Sequence, residues 1–372
     1  MKCVFLLFLA MSVAGQFVSD FYKRFAKDNL DKNICISPFS VEILMHMVYM
    51  GAGGKTAQEL RKILKPPPNE SQVAPRFKDI LTNLEVNENE VILANRIYVN
   101  DEYQLVSGYN ELVKDSFKAE AQTINLKNSD NAASVVNKWA IEVSSGRIRN
   151  IVSPNDMKPD LKVALLSAIY FKPEWLYKFN PKDTYIADFH VTAQKRIPVE
   201  MMRMSGNFGV KITFRLNAQY IYLPLRNSNL TMVIFLPLEV DGLEKVEKRI
   251  STYFFRTIHK EYVDLRLPKF KIEFSADVKN ILGKMGIRDA FESSADLSGL
   301  VKPSKAPINK VFQKASFEVD EEGDDEDTPP IEEYNKCAGC GQWEFIAEHP
   351  FAYLIRDQHT TYIQGHVVNP GT

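Results

Sequence analysis

The chain has 372 residues, of which 45% are hydrophobic and 25% charged, and its formal net charge at pH 7 is −1. This composition suffices for one large hydrophobic core, and the balanced charge gives no indication of a nucleic-acid partner or a membrane surface. The length would allow two domains, but no linker or internal repeat interrupts residues 1–310. We therefore expect a single domain.

The N-terminus has the pattern of a secretion signal. Lys2 precedes a short apolar run over residues 4–14, and the small residue Gly15 offers a cleavage point before Gln16. The run is too short to span a bilayer, and no later segment is apolar enough to do so. We predict a signal peptide at residues 1–15 and a secreted, extracellular protein whose single domain covers residues 16–372.

Two sequons are candidate N-glycosylation sites in a secreted chain. They are Asn69-Glu-Ser71 and Asn229-Leu-Thr231. Asn69 follows three consecutive prolines, which favour an exposed turn, so it is the better candidate for an N-glycan.

Helices are predicted mainly in the first half and strands mainly in the second. The periodicity of apolar residues predicts helices at 17–31, 40–49, 56–64, 77–84, 108–118, 131–144 and 277–285. It predicts strands at 34–36, 91–99, 162–171, 208–215, 219–225, 230–237, 263–273, 309–320, 351–356 and 361–368. This order, with few strand–helix–strand alternations, favours an α+β fold with large mixed sheets.

Catalytic motifs are missing from the sequence. The chain contains neither H-E-x-x-H nor G-x-S-x-G, and Gly51-Ala-Gly-Gly-Lys55-Thr56 lacks the first glycine of a phosphate-binding loop. Cys337-x-x-Cys340 has no second cysteine or histidine pair with which to hold zinc. We therefore expect a protein that is not an enzyme and has no cofactor or metal.

An unusual loop follows the predicted strand that ends near residue 320. From Asp320 to Glu333 every charged residue is acidic, and Pro329-Pro330 interrupts the run. Like charges and prolines favour an extended, solvated segment, and a loop of roughly 25 residues inside a domain is usually functional or disordered. Within it we predict a local Cys337–Cys340 disulfide or, alternatively, a free Cys337 thiol, whereas Cys35 lies in an apolar strand and should be buried and reduced.

Several motifs in one order resemble the serpin family along essentially the whole mature chain. They lie at 33–40 (NICISPFS), 51–60 (GAGGKTAQEL), 166–175 (LSAIYFKPEW), 267–270 (LPKF), 295–299 (ADLSG), 349–351 (HPF) and 365–370 (GHVVNP). The resemblance implies three β-sheets, eight or nine helices and an exposed reactive-centre loop at about 321–346. In inhibitory members a protease cleaves this loop, which then inserts into the large sheet as a new strand and carries the enzyme with it.

The resemblance also assigns residues to sites. Glu321, Glu322 and Gly323 occupy the hinge, and the region of the scissile bond includes Tyr334, Lys336, Cys337 and Ala338. Ser37, Ser40, Ser167 and Gln313 fall at the shutter beneath the sheet, where the family usually has Asn and His at the last two positions. The implied partner is a serine protease or another protein that binds the loop, and we expect a monomer.

The hinge departs from the inhibitory pattern. Inhibitors carry a small Thr or Ser and then mostly alanines after the hinge glycine, whereas this chain has Asp324, Asp325, Glu326 and Asp327, followed by Pro329 and Pro330. Side chains of a strand alternate between its two faces, so insertion would turn two of the four acids inward. Buried carboxylates and prolines both oppose a central strand. We predict a non-inhibitory serpin; the alternative is a serine protease inhibitor cleaved near Lys336 or Cys337.

Overall fold

The computed structural model describes residues 2–85, 91–253, 259–321 and 343–371. This part of the chain contains eight α-helices. They are α1 (Lys2–Lys27), α2 (Pro38–Gly51), α3 (Gly54–Leu64), α4 (Val73–Glu85), α5 (Tyr109–Phe117), α6 (Ser129–Val143), α7 (Leu243–Glu247) and α8 (Lys279–Met285).

The same residues form sixteen strands. They are β1 (Ile34–Ile36), β2 (Val91–Asn100), β3 (Gln104–Leu105), β4 (Glu120–Ile124), β5 (Val163–Phe171), β6 (Tyr185–His190), β7 (Arg196–Thr213), β8 (Ala218–Pro224), β9 (Thr231–Pro237), β10 (Lys260–Pro268), β11 (Phe270–Asp277), β12 (Val301–Lys302), β13 (Ile308–Val319), β14 (Trp343–Ile346), β15 (Phe351–Arg356) and β16 (Thr361–Val367).

The strands form three sheets, and the fold is α+β. The nine-stranded sheet has the order β1-β16-β15-β9-β8-β7-β10-β14, with β6 paired to β7 off this path. The five-stranded sheet has the order β11-β13-β5-β2-β4, and β3 and β12 form a small third sheet. One core cluster contains Phe171 and Phe317 and extends into the nine-stranded sheet, whereas a second cluster, with Leu166 and Trp139, lies under α6.

The long apolar segment at 162–171 forms the middle strand of the five-stranded sheet. All nine residues of β5 are buried, as its apolar run, interrupted only by Ser167, predicts for a strand covered on both faces. Its neighbours are β2, which is antiparallel, and β13, which is parallel. Because β13 leads into the acidic loop, this parallel pair is the part of the fold that bears on function.

Several predicted elements need correction. The single strand predicted at 263–273 is two strands in different sheets, β10 and β11, because the chain turns at Pro268 and the Lys269 N–H bonds to the Glu200 carbonyl instead. Strand β7 begins at Arg196, earlier than the predicted 208. In the predicted helix 131–144, the helical spacing of Val135 with Trp139 predicts that both face the core, but Val135 is 40% exposed. The periodicity also missed β4, β6 and β14, which are short or partly exposed.

Helix α2 buries two ionisable side chains one turn apart. Glu42 and His46 are almost fully buried, and Glu42 Oε1 and His46 Nε2 have no hydrogen-bond partner among the described residues. Burial raises the pKa of Glu42 to about 7, partly offset by the charge of Arg76. Burial also lowers the pKa of His46 to about 4. Near neutral pH the helix therefore holds a neutral imidazole beside a carboxyl group that is close to its titration point.

We predict that Glu42→Gln makes the stability of the protein fall less as pH rises from about 4.5 through 7. Because the folded pKa lies above the unfolded value of 4.5, Glu42 lowers the stability of the wild type as pH rises from about 4.5 through 7. The full penalty is on the order of 3 kcal/mol. Melting temperatures of both proteins are measured at pH 5 and pH 8. The melting temperature of the variant minus that of the wild type should be several degrees larger at pH 8 than at pH 5. His46 titrates in both proteins and cancels.

The matched control for this experiment is Glu292→Gln, which changes an exposed glutamate. Its difference in melting temperature from the wild type should be the same at both pH values. A Glu42→Gln difference that does not change with pH would contradict the account of Glu42.

Candidate functional site

Most of the predicted loop lies outside the described residues. Glu322, Gly323, Asp324, Asp325, Glu326, Asp327, Pro329, Pro330, Tyr334, Lys336, Cys337, Ala338 and Cys340 all fall within 322–342. The structure describes the two ends of the loop. Strand β13 ends at Val319 and is followed by Asp320 and Glu321, and the chain resumes at Trp343 in β14.

The seam between β5 and β13 is the place where a strand following β13 could enter the five-stranded sheet. Strand β13 already has β11 on one side and β5 on the other. The β5–β13 pairing is parallel and runs from Ile308 opposite Val163 to Phe317 opposite Phe171. An inserted strand would have to separate this pair, and parallel pairing is slightly less stable per residue than antiparallel pairing.

A row of buried polar side chains crosses this seam. Asn95 of β2 lies opposite Ser167 of β5, which lies opposite Gln313 of β13. Above the row, Gln313 Oε1 accepts a hydrogen bond from the Ser37 N–H (2.8 Å), and Gln313 Nε2 donates to the Ser37 carbonyl (3.0 Å). The Gln313 side chain of β13 is thus bonded to the backbone of Ser37, the N-cap residue of α2.

The start of helix α2 completes the network. The Ser37 hydroxyl caps the helix by accepting from the Ser40 N–H (3.0 Å), and Ser40 Oγ donates to Asn95 Oδ1 (2.8 Å). Ser167 Oγ lies 2.9 Å from Ser40 Oγ, and because Ser40 gives its proton to Asn95, Ser167 is the donor in this contact. All five residues are buried. The structure therefore brings together the four predicted shutter residues and adds Asn95, which sequence analysis missed although it is a polar residue within a mostly apolar strand.

The C-terminal end of β13 is held by residues that follow the neighbouring strand β5. Asp320 forms an ion pair with Lys172, which follows β5, at 2.8 Å. The indole N–H of Trp175 donates to the Asp320 carbonyl at 2.9 Å. These contacts close the end of the seam from which the loop departs.

Glu321 is the last residue described before the loop, and it is 8% exposed. The Thr184 hydroxyl donates to its carboxylate at 2.7 Å, and Lys269 Nζ lies 3.0 Å away. Burial raises the pKa of Glu321, but the hydrogen bonds from Thr184 and Lys269 outweigh burial and leave the pKa below its usual value. Of the predicted hinge residues, Glu321 is thus fixed as a carboxylate in the body of the protein.

The remaining predicted sites lie apart from the seam. Asn69 is exposed in a turn, where its Oδ1 accepts from the N–H (3.1 Å) and hydroxyl (2.8 Å) of Ser71. Asn229 is exposed just before β9. Cys35 is fully buried, and burial raises the pKa of its thiol to about 12.

No three His, Cys, Asp or Glu side chains in the described part of the chain lie close enough together to hold a metal ion. None of its helices is both long and apolar enough to cross a membrane.

Comparison with known proteins identifies the family. The pattern of the family described as "Serpin (serine protease inhibitor)" matches residues 12–370. The chain belongs to the serpin family. Serine protease inhibitor 42Dd of Drosophila melanogaster is 42% identical to this serpin over 372 residues, covering 99% of each chain. Human Serpin I2 is 28% identical over 370 residues, which cover 96% of this chain and 91% of the human protein.

Solved serpin structures have the same fold. Serpin48 of the insect Tenebrio molitor superposes with a TM-score of 0.87 at 28% identity, covering 96% of this chain and 97% of that one. Uncleaved ovalbumin gives a TM-score of 0.87 at 27% identity, covering 96% and 99% of the two chains. The predicted family and the predicted α+β architecture with three sheets are confirmed. Serpins generally act as protease inhibitors rather than enzymes, and they meet proteases through the reactive-centre loop.

We predict that Gln313→Leu destabilises this serpin by about 2 to 4 kcal/mol. Leucine has a similar size but leaves the buried Ser37 N–H and carbonyl without partners, and each such loss costs about 1–3 kcal/mol. Differential scanning calorimetry of the intact protein measures the effect. Gln194→Leu, at an exposed glutamine, is the control and should change the melting temperature little. Equal melting temperatures for the two variants would mean that the network does not hold the seam.

Proposed function

We propose that this protein is a secreted, monomeric, non-inhibitory serpin. Its loop acts as a recognition arm for a protein partner or as a plain protease substrate, without trapping the protease by insertion. The proposal includes no catalytic activity, no metal and no cofactor. It rests on the chemistry of the hinge sequence set against the chemistry of the seam that the hinge would have to enter.

The observation that carries the proposal is the burial of the seam. Every residue of β5 is buried, and on one face the rings of Phe171 and Phe317 stack across the seam with centroids 5.5 Å apart. On the other face the cluster beneath α6 covers Leu166 and Ala168. A strand entering beside β5 would therefore meet apolar side chains on both faces.

The hinge sequence is unsuited to such a place. Alternation would turn two of the four acids at 324–327 towards the Phe171 side, at a cost of several kcal/mol for each that stayed charged. Pro329 and Pro330 lack the N–H groups that a central strand donates to its neighbours, and each unmade buried bond costs about 1–3 kcal/mol. These costs together approach the ~5–15 kcal/mol by which a whole domain is stable.

The alternative function is inhibition of a serine protease. Cleavage would then fall near Lys336 or Cys337, in the segment that includes Tyr334 and Ala338. The observation in its favour is that the Drosophila relative at 42% identity is named a serine protease inhibitor. The two functions differ in a measurable way, because only inhibition requires the cleaved loop to enter the sheet.

We predict that cleavage of the loop leaves the stability of the protein unchanged. Trypsin should cut at Lys336, the only basic residue between Lys314 and Arg356, and leave as from an ordinary substrate. Melting curves at neutral pH should coincide before and after cleavage. A rise of tens of degrees, or a covalent protease adduct that survives SDS, would establish inhibition instead.

A matched variant shows whether the acidic hinge or the shutter residues oppose insertion of the loop. Replacing residues 324–330 with an alanine-rich segment should raise the melting temperature of the cleaved protein. If it does not, the altered pair Ser167 and Gln313 opposes insertion rather than the acidic hinge.

We also predict the covalent state of the secreted protein. After expression in secretory cells, the intact mass should correspond to a chain beginning at Gln16 with an N-glycan at Asn69 and, at lower occupancy, at Asn229. Unreduced peptide mapping should link Cys337 to Cys340 and leave Cys35 as a thiol. Retention of Met1 without glycan would contradict secretion, and a crosslink to Cys35 would contradict the predicted pairing.

A further inference from the structure

Three exposed apolar side chains lie on the turn between β7 and β8 and just after β9, at one end of these strands of the nine-stranded sheet. The turn between β7 and β8 displays Phe214, which is 90% exposed, and the neighbouring Ile212 and Leu238 are 36% and 47% exposed. They are three of the seven large hydrophobic residues exposed in the described part of the chain. We call Ile212, Phe214 and Leu238 the Phe214 tip. A phenylalanine this exposed contributes nothing to the core, which raises the question of what it contacts.

The tip is held rigidly by the backbone. Within the turn, the Leu216 N–H donates to the Thr213 carbonyl (3.2 Å) and the Asn217 N–H to the Phe214 carbonyl (3.3 Å). The Leu238 N–H donates to the Asn217 carbonyl (2.9 Å), which places Leu238 beside the turn. Leu216 anchors the turn in the core. The backbone at Phe214 is therefore held in a defined turn, so that a partner would not have to order the chain there.

Cationic side chains predominate around the tip. Lys211, Arg215 and Arg249 are exposed, and Arg249 Nη1 donates to the Arg215 carbonyl at 2.9 Å. The nearby glutamates lie close to lysines, with Glu239 3.8 Å from Lys245 and Glu244 2.7 Å from Lys248, and Asp241 is an exposed acid in the same region. The cations at 211, 215 and 249 outnumber this acid, so the surroundings of the tip are positive, although the whole chain has a net charge of only −1.

The size of the tip limits what it can bind. Three side chains on a convex turn offer far less than the ~800 Å² per partner that a stable protein complex buries. An apolar projection surrounded by cations instead suits an anionic lipid surface, where aromatic side chains enter the interface and Lys or Arg face the headgroups.

The tip lies near the point where the reactive-centre loop returns to the body of the protein. The register pairs Gly206 of β7 with Val263 of β10, and Val263 with Trp343 of β14, the first residue described after the loop. The indole N–H of Trp343 donates to Gln219 Oε1 at 3.2 Å, and Gln219 lies opposite Ile212 of the tip. A surface that binds the tip would therefore lie beside the base of the loop.

We propose that the Phe214 tip is a peripheral binding site for anionic phospholipid surfaces. Phe214 enters the headgroup region, and Lys211, Arg215 and Arg249 face the lipid phosphates and carboxylates. The site does not depend on whether the loop inhibits a protease. The expectation from net charge that no membrane surface is involved does not apply here, because the charge around the tip differs from the average over the chain.

Co-sedimentation with vesicles tests the proposal. The full-length protein should bind vesicles of phosphatidylserine and phosphatidylcholine, bind pure phosphatidylcholine vesicles far more weakly, and be released by salt. Phe214→Ser should weaken binding by about tenfold or more, since it removes the largest apolar group. Val135→Ser, at an exposed apolar position on α6, is the control and should bind like the wild type. Lys211→Glu with Arg215→Glu should also weaken binding.

A second variant gives a direct readout at the tip. Phe214→Trp should show a blue shift of tryptophan emission when phosphatidylserine vesicles are added, and melting curves verify that each variant is folded. The proposal is overturned if the wild type does not bind, if Phe214→Ser binds equally well, or if the emission does not move. It is also overturned if Phe214 instead mediates self-association, seen by light scattering without lipid.

Discussion

The parallel pairing of β5 with β13 is the contact on which the rest of the structure depends. Strand β13 continues into the loop, and β5 is the buried centre of the sheet, so any change in the loop that reaches the core must pass between them. The pair is closed in the middle by Gln313, through its bonds to Ser37. At the end of the pair, Lys172 and Lys269 hold the two acids Asp320 and Glu321. Polar contacts thus fix the seam, and apolar contacts fill it.

This arrangement explains why acidic residues are accepted at 320 and 321 and opposed further along. Asp320 and Glu321 lie where lysines reach the end of the sheet, so their charges are compensated. On insertion, two of the four acids at 324–327 would face the aromatic and aliphatic side chains that line β5. The same type of side chain therefore stabilises the closed seam at one position and opposes its opening a few residues later.

Much of the fold could be predicted from the sequence, because long apolar periods and the order of motifs are local properties of the chain. The buried strand at 162–171, the helix ending at Gly286 and the serpin architecture all follow from such patterns. The seam contacts do not, because Asn95, Ser167 and Gln313 come together only through strand register. Local patterns also did not predict that the chain passes from one sheet to another at Pro268. They missed the Phe214 tip as well, because its surroundings are assembled from β7, β9 and the segment around Arg249.

Hydrogen exchange at the seam tests the central claim most directly. Backbone amides of β5 and β13 would be followed by mass spectrometry in the intact protein and after cleavage at Lys336, at the same pH and temperature. If the hinge cannot insert, residues 163–171 and 308–319 exchange at the same rates in both forms. A marked increase in protection of both strands after cleavage, together with protection of residues 322–335, would show that the loop enters the seam and would contradict the account.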